Sequence, residues 1–230
     1  MVGEVDFAAP LSALFAPGAV VMALRGRGDS RWLSAAEDAR LARAVQKRRE
    51  EFAAGRRCAQ RALQVLGIDD YVVGSGDDRQ PLWPPSIVGS ITHTDGFCAA
   101  VVARQDARLF GVGIDSEVAG RVKPELWRAI LTPDELRWLE GLRVAEREAA
   151  ATLVFAAKEA FYKSQYPATK TFLGFQEASL AVPQWPSESG TFGVSLPDRA
   201  DILANLEVHG RYLIHDGFVT AAVTLRCKRR

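Results

Sequence analysis

Asp115 and Glu117 stand two residues apart at the end of the apolar run 109–114. In extended backbone that spacing puts both side chains on one face, with Cα atoms roughly 6.6 Å apart. Two carboxylates so placed can aim oxygens at one hard cation and leave its other positions to water and phosphate oxygens, the usual way of holding Mg²⁺. An Asp-x-Glu triplet also serves as an ordinary solvent-facing strand end, so the pair alone does not decide. Glu159 and Lys163 form a second set, four apart within Phe155-Ala-Ala-Lys158-Glu159-Ala-Phe-Tyr-Lys163, and therefore share one face of a helix. There Glu159 would complete the carboxylate set and Lys163 would meet a phosphate oxygen. The competing reading is a surface ion pair, but Leu153, Val154, Phe155, Ala157, Ala160 and Phe161 leave little room for a wide solvated face.

Two further groups suit an anionic partner. Ser90-Ile-Thr92-His93 is rich in donors, and His93 is suited either to donate to a phosphate or to a structural hydrogen bond. Lys47, Arg48, Arg49, Arg56, Arg57 and Arg61 recur so that Arg49 and Arg56 are seven apart and Arg57 and Arg61 four apart; a helix makes them a basic stripe. Guanidinium forks match phosphate oxygens in pairs, although such a stripe also serves as a solvated face. Gly111-Val-Gly113 lacks the third glycine and following helix of a dinucleotide fingerprint. There is no GxxxxGK[ST] loop and no GxSxG elbow, which removes P-loop NTPases and typical α/β-hydrolases.

The elements that must position these residues belong to an ordinary globular composition. The 230 residues are 48% hydrophobic and 25% charged with a net charge of +1, so any anion site rests on local clusters. Neither a nucleic-acid nor a membrane partner follows from the global charge. Cys58, Cys98 and Cys227 form no CxxC pair and read as free thiols in a reducing cytoplasm. Residues 7–24 are uncharged over nearly the length of a short membrane span. Pro10 and Pro17-Gly18 interrupt them, and Glu4 and Asp6 stand where a basic segment would precede a signal, so they read as entry into the fold.

A buried strand is expected at 19–24. Ser34 with Glu37 has capping-box spacing and opens a helix that carries Leu41, Ala42 and Val45, and a further helix runs over 52–66 to Gly67. Asp95-Gly96 between the apolar runs 90–94 and 97–103 predicts a hairpin. The run 109–114 is a third strand. Thr132-Pro-Asp-Glu135 is a helix start, and 146–166 is a long Ala-rich helix ended by Pro167. Strands follow at 179–182, 190–196 and 218–225. Mixed helices and hairpins, without regular βαβ alternation or an internal sequence repeat, argue for an α+β fold with antiparallel sheets.

In this order the segments resemble the 4′-phosphopantetheinyl transferases of the surfactin and enterobactin-synthetase type. The resemblance rests on Gly55-Arg56 with Ala59, Arg79-Gln-Pro-Leu-Trp-Pro84, Gly89-Ser-Ile-Thr-His93, Gly113-Ile-Asp-Ser-Glu117, the Phe155 to Lys163 motif and Leu173-Gly-Phe175. It covers over half the chain, residues 48–175. It implies transfer of the phosphopantetheine arm of coenzyme A to a serine of an apo acyl or peptidyl carrier protein, releasing 3′,5′-ADP. By that analogy Asp115, Glu117 and Glu159 hold Mg²⁺, with Mn²⁺ as the alternative ion, and Glu159 or a metal-bound water takes the serine proton. Lys163 stabilises the leaving phosphate. Arg48, Arg56, Arg79 and His93 grip the 3′-phosphate and adenine end, with Ser90 and Thr92 beside them. Lys158 reaches the pyrophosphate, while Tyr162, Phe172 and Leu173 line the pantetheine path.

The same resemblance implies two similar α+β lobes, 1–110 and 111–230, joined as an intramolecular pseudo-dimer with the site in the cleft, and hence a monomer. Phe155 stands where many relatives have Trp, and Thr92 and Thr94 replace common serines. Asp78 lies beside Arg79 where relatives carry a lysine nearby. Two other functions use the same residues: a metal-dependent phosphohydrolase acting on coenzyme A, and a binding module that sequesters coenzyme A or carrier protein.

Overall fold

Two antiparallel sheets, each backed by one long helix, carry the chain in a computed structural model that describes residues 5–229. The first half contains β1 (Val5–Phe7), α1 (Ala9–Ser12), β2 (Val20–Arg25), α2 (Ala35–Arg40), α3 (Gln46–Val65), β3 (Gly74–Ser75), β4 (Pro81–Leu82), β5 (Ile87–Thr94) and β6 (Phe97–Arg104). Its sheet has the order β1-β2-β6-β5, with β3 and β4 as a separate short ribbon. The second half contains β7 (Leu109–Val118), α4 (Pro124–Ile130), α5 (Pro133–Glu140), α6 (Val144–Thr169), β8 (Ser179–Ala181), β9 (Ser189–Ser195), α7 (Ala200–Leu203), β10 (Leu206–His215) and β11 (Phe218–Cys227). Its sheet has the order β7-β11-β10-β9-β8. The fold is α+β, as the element pattern predicts.

Period-two alternation explains the layers. Val20, Met22, Leu24, Cys98, Ala100 and Val102 face Ala59, Ala62 and Leu63 of α3. Alternate residues of the same strands, including Val21, Phe97 and Val101, meet Val112 and Ile114 of β7 and Ala222 of β11 in a core shared by both halves. The opposite face of the second sheet, with Val219, Ala221 and Val223, packs on Leu153, Ala157, Ala160 and Phe161 of α6.

Both capping boxes form, at Ser34 with Glu37 and at Thr132 with Glu135. Asp95-Gly96 turns the β5–β6 hairpin, with Gly96 at φ 73°. The three cysteines are free. The helix opened by Ser34 is shorter than expected: α2 stops at Arg40, and Arg49 of the next helix donates to Leu41 O and pairs with Asp38. α6 runs past Pro167 to Thr169, because a proline in the last turn costs only one backbone bond. Lys170 then ends it at φ 53°. Strand β10, between β9 and β11, was not expected; Glu207, His209, Gly210 and Arg211 break its apolar alternation. The lobe division expected at 110/111 falls inside β7, and the chain passes between sheets at 105–108. Residues 1–4 and 230 of those lobes lie outside the described residues.

Candidate active site between the two sheets

β5 is an edge of the first sheet and β7 an edge of the second, and the site forms where these edges meet. An edge strand has unpaired backbone donors. Here hydroxyls of β5 satisfy them: Ile114 N donates to Ser90 Oγ at 3.2 Å, and Ser116 N donates to Thr92 Oγ1 at 2.9 Å. Thr92 Oγ1 donates onward to Asp115 Oδ1 at 3.1 Å, and Thr94 Oγ1 donates to Glu117 Oε2 at 2.9 Å. Residues 90, 92 and 94 share one strand face, so one row of hydroxyls ties the first lobe to both acids of the second. Thr92 is thus a correction to its expected place on a ligand: it is 1% exposed and its hydroxyl is engaged on both sides.

On its other side β7 meets α6 through bare backbone. A Cβ on Gly111 would lie 2.1 Å from Ser164 O, and one on Gly113 would lie 1.9 Å from Ala160 O. That approach, and not a dinucleotide, accounts for Gly111-Val-Gly113. It brings Lys163 Nζ to 2.6 Å from Asp115 Oδ1. Lys163 therefore pairs across the helix–strand interface with Asp115, and not in the competing surface ion pair with Glu159.

Burial sets the charge balance. It pushes the Asp115 carboxyl above its ordinary range, against the ammonium of Lys163 and the Thr92 hydroxyl, which favour the anion. Glu117 is raised by burial and by the negative charge of Asp115. Glu159 is raised chiefly by burial, with Lys163 opposing and Asp115 adding. Burial pulls Lys163 down, but Asp115, Glu159 and Glu117 outweigh it and the net shift is upward. Burial thus raises all three acids, while Lys163 keeps its proton beside Asp115.

A cavity of about 240 Å³ opens beside this pair and gathers Arg48 and Arg56 of α3, Arg79 of the β3–β4 turn, Ser90 and His93 of β5, and Tyr162 and Lys163 of α6. Arg48 Nη1 lies 2.6 Å from His93 Nε2. A guanidinium only donates, so Nε2 accepts and the ring proton sits on Nδ1. Burial and the charges of Arg48 and Lys163 lower His93 to about 4, which keeps the ring neutral at pH 7. Arg56 is partly committed: it is 7% exposed and stacks on Phe52. Its Nη2 donates to Gly74 O at 3.1 Å and Ser75 Oγ at 2.6 Å, and burial lowers it to about 10. Arg79 is exposed at φ 64°.

A second cavity, of about 180 Å³, shares Tyr162 with the first and adds Glu159, Phe172 and Leu173. Phe172 is 72% exposed, whereas Leu173 is buried. Tyr162 stacks on Tyr166 at 5.1 Å and meets Phe172 edge-on at 6.0 Å. Lys158 borders this cavity but is a second correction. It is 4% exposed, and its ammonium donates to Ile130 O, Glu135 Oε2 and Phe175 O at 2.7–2.8 Å. An ammonium has three protons, so none is left for a pyrophosphate.

The fit of a divalent ion rests on the acids. Asp115 Oδ2 is buried without a hydrogen-bond partner, an open acceptor beside Glu117. Two carboxylates with phosphate oxygens and water suit Mg²⁺. Among the described residues, however, no three His, Cys, Asp or Glu side chains are gathered closely enough to hold an ion by themselves, so Glu159 stands apart from the two acids of β7. Sequence reasoning also passed over the chain behind Asp115, in which Ser116 Oγ lies 2.8 Å from Thr220 Oγ1 and Thr220 Oγ1 lies 2.9 Å from His215 Nε2. Its members lie up to about a hundred residues apart, and no local signal could have found it.

Comparison with known proteins supplies the context for this geometry. Residues 36–103 match the 4′-phosphopantetheinyl transferase N-terminal domain, and residues 111–223 match the 4′-phosphopantetheinyl transferase superfamily. The 4′-phosphopantetheinyl transferase Npt of Nocardia iowensis is 36% identical over 196 residues, covering 82% of this chain and 87% of its own. The 4′-phosphopantetheinyl transferase Svp of Streptomyces mobaraensis is 36% identical over 193 residues, covering 82% and 77%. A holo-(acyl-carrier-protein) synthase of Bacillus anthracis in complex with coenzyme A (3′,5′-ADP) aligns with a TM-score of 0.43 at 23% identity, over 53% of this chain and 100% of its own. On its two matched regions and its 36% identity to relatives covered over more than three quarters of their length, the chain belongs to the 4′-phosphopantetheinyl transferase family.

Proposed function

We propose that this chain moves the 4′-phosphopantetheine group of coenzyme A to a serine of an apo acyl or peptidyl carrier protein in the cleft between its two sheets. A P–O bond forms to the serine oxygen, the pyrophosphate P–O bond breaks, and 3′,5′-ADP leaves. The observation that carries the reading is the meeting of two charge sets in one place. The Asp115–Lys163 pair of the second lobe borders a cavity edged by arginines of the first. Phosphoryl-type transfer needs positioning and charge neutralisation more than covalent help, and this arrangement supplies both.

In this reading Arg48, Arg79 and neutral His93 receive the 3′-phosphate and adenine end, with Arg56 as the buried wall behind them. Asp115 and Glu117 would hold Mg²⁺, or Mn²⁺, with Glu159 of α6 standing apart from them. The ion would neutralise charge on the pyrophosphate. Lys163 stabilises the departing phosphate, and Glu159, raised by burial, accepts the serine proton. Tyr162, Phe172 and Leu173 flank the pantetheine arm. Both lobes come from one chain, which supports a monomer. Among the described residues no helix is long and apolar enough to cross a membrane. The free thiols support a cytoplasmic setting.

The test is the intact mass of an apo carrier protein after incubation with this chain, coenzyme A and Mg²⁺. The expected result is a gain of one phosphopantetheine, abolished by EDTA. Release of 3′,5′-ADP without modification of any carrier would move the assignment to a phosphohydrolase. Neither signal would leave a binding protein.

A further inference from the structure

The most completely buried ion pair among the described residues lies next to the acid assigned to proton transfer, and the reaction as described does not use it. Lys158 and Glu135 meet at 2.7 Å with both side chains 2% exposed. The remaining capacity of each is spent on backbone. Lys158 donates to Ile130 O at the end of α4 and to Phe175 O in the segment after α6. Glu135 accepts from Thr132 N at the start of α5 and, through Oε1, from Leu180 N in β8, both at 2.7 Å. One pair thus joins α4, α5, α6, β8 and the 171–178 segment. That segment is pinned at its other end by fully buried Gln165, whose Nε2 donates to Thr171 O at 2.9 Å. Between the pins lie Phe172 and Leu173, which line the second cavity together with Glu159.

We infer that Lys158 and Glu135 are a positioning pair for the transfer reaction: they hold the 171–178 strap against α6 and so fix the wall of the second cavity, without touching the substrate. The inference rests on the reading that this cavity receives the pantetheine arm. A buried pair gives little net stability, but removing one partner strands the other charge, whereas removing both does not. A lysine that bound phosphate would behave otherwise, because its loss could not be repaired by changing Glu135.

The experiment compares Lys158→Met, Glu135→Gln and the double variant. Hydrogen–deuterium exchange of the strap peptides is read on the free protein, alongside kcat and KM for coenzyme A and inhibition by 3′,5′-ADP. Each single variant is expected to speed exchange across 171–178 and to lower kcat/KM at least about tenfold, since small misplacements of a reacting group carry penalties of that order. Inhibition by 3′,5′-ADP, which lacks the pantetheine arm, should stay within about twofold of the parent. The double variant should regain part of the slow exchange and of the activity, because the stranded charge is gone while the bond to Phe175 O is still missing, and it serves the same purpose if a single variant fails to fold. The proposal is overturned if the double variant is as impaired as Lys158→Met, if strap exchange is unchanged, or if 3′,5′-ADP binding falls with activity. An inactive parent protein would sink the transferase reading instead, and the exchange data would still judge the pair.

Discussion

The two lobes share a plan, an antiparallel sheet under one long helix, yet their helices spend polar residues in opposite ways. α3 of the first lobe carries six basic residues, Lys47, Arg48, Arg49, Arg56, Arg57 and Arg61. Several of them hold the lobe together: Arg49 closes α2, Arg56 fastens β3, and Arg57 stacks on Trp32. Arg48 is left at the cavity with neutral His93. α6 of the second lobe is buried along most of its length, and its two lysines have separate employments. Lys158 is enclosed with Glu135, while Lys163, with its side chain 29% exposed, meets Asp115 at the cleft. On the proposed function the first lobe therefore offers cations for a ligand to find, and the second offers acids and one held cation where bonds would change. On that reading similar scaffolds divide binding from chemistry by which charges they leave uncommitted.

That division can be broken most sharply at the acids. Replacing Asp115 and Glu117 together by Ala should abolish transfer, a loss of at least about a thousandfold in kcat measured by carrier mass gain. Coenzyme A consumption that survived the double substitution would sink the metal assignment. Next in size is Gly113→Ala, whose methyl would stand 1.9 Å from Ala160 O. Overpacking against backbone should cost about 3 kcal/mol, seen in denaturant unfolding, together with loss of activity. An unchanged unfolding midpoint would mean that α6 is not seated on β7.

The first lobe should respond in KM. Arg48→Ala is expected to raise KM for coenzyme A about tenfold, near 1.4 kcal/mol, with kcat little changed and with 3′-dephospho-coenzyme A less affected. A fall in kcat at constant KM would reverse the division of labour. The pH profile sharpens the same point. Asp115, Glu117 and Glu159 are all raised above ordinary carboxylates, so each binds its proton at a higher pH than a free side chain would. Activity that needs their anions should therefore fall, as pH drops, before the ordinary carboxylate range is reached. His93, lowered to about 4, is already neutral across that limb and should leave no separate step in it. The smallest effect belongs to the exposed Arg137–Asp134 pair on α5, where Arg137→Ala should change stability by less than about 0.5 kcal/mol.

Legibility from sequence followed the reach of the interaction. The Ser34 and Thr132 capping boxes and the Asp95-Gly96 turn involve residues within three of one another, and each formed as read. The pair Asp115 and Glu117 was readable because strand geometry alone fixes their common face. The fate of Lys158 was not, because its partner lies 23 residues away in another helix and only tertiary packing brings them together. Thr92 was misjudged for the same reason, since its hydroxyl answers to a strand edge of the other lobe. Strand β10 escaped because it mixes charged residues and glycine where alternation should be clean, and two neighbouring strands override that weak pattern.

Gly111 and Gly113 let two main chains touch where most elements are kept apart by side chains. The gap across which Asp115 and Lys163 face each other is therefore ruled off in units of polypeptide itself. Exchanges along the cleft's outer walls leave that gauge unaltered, whereas adding one methyl group to the strand would change the calibration of every group α6 presents.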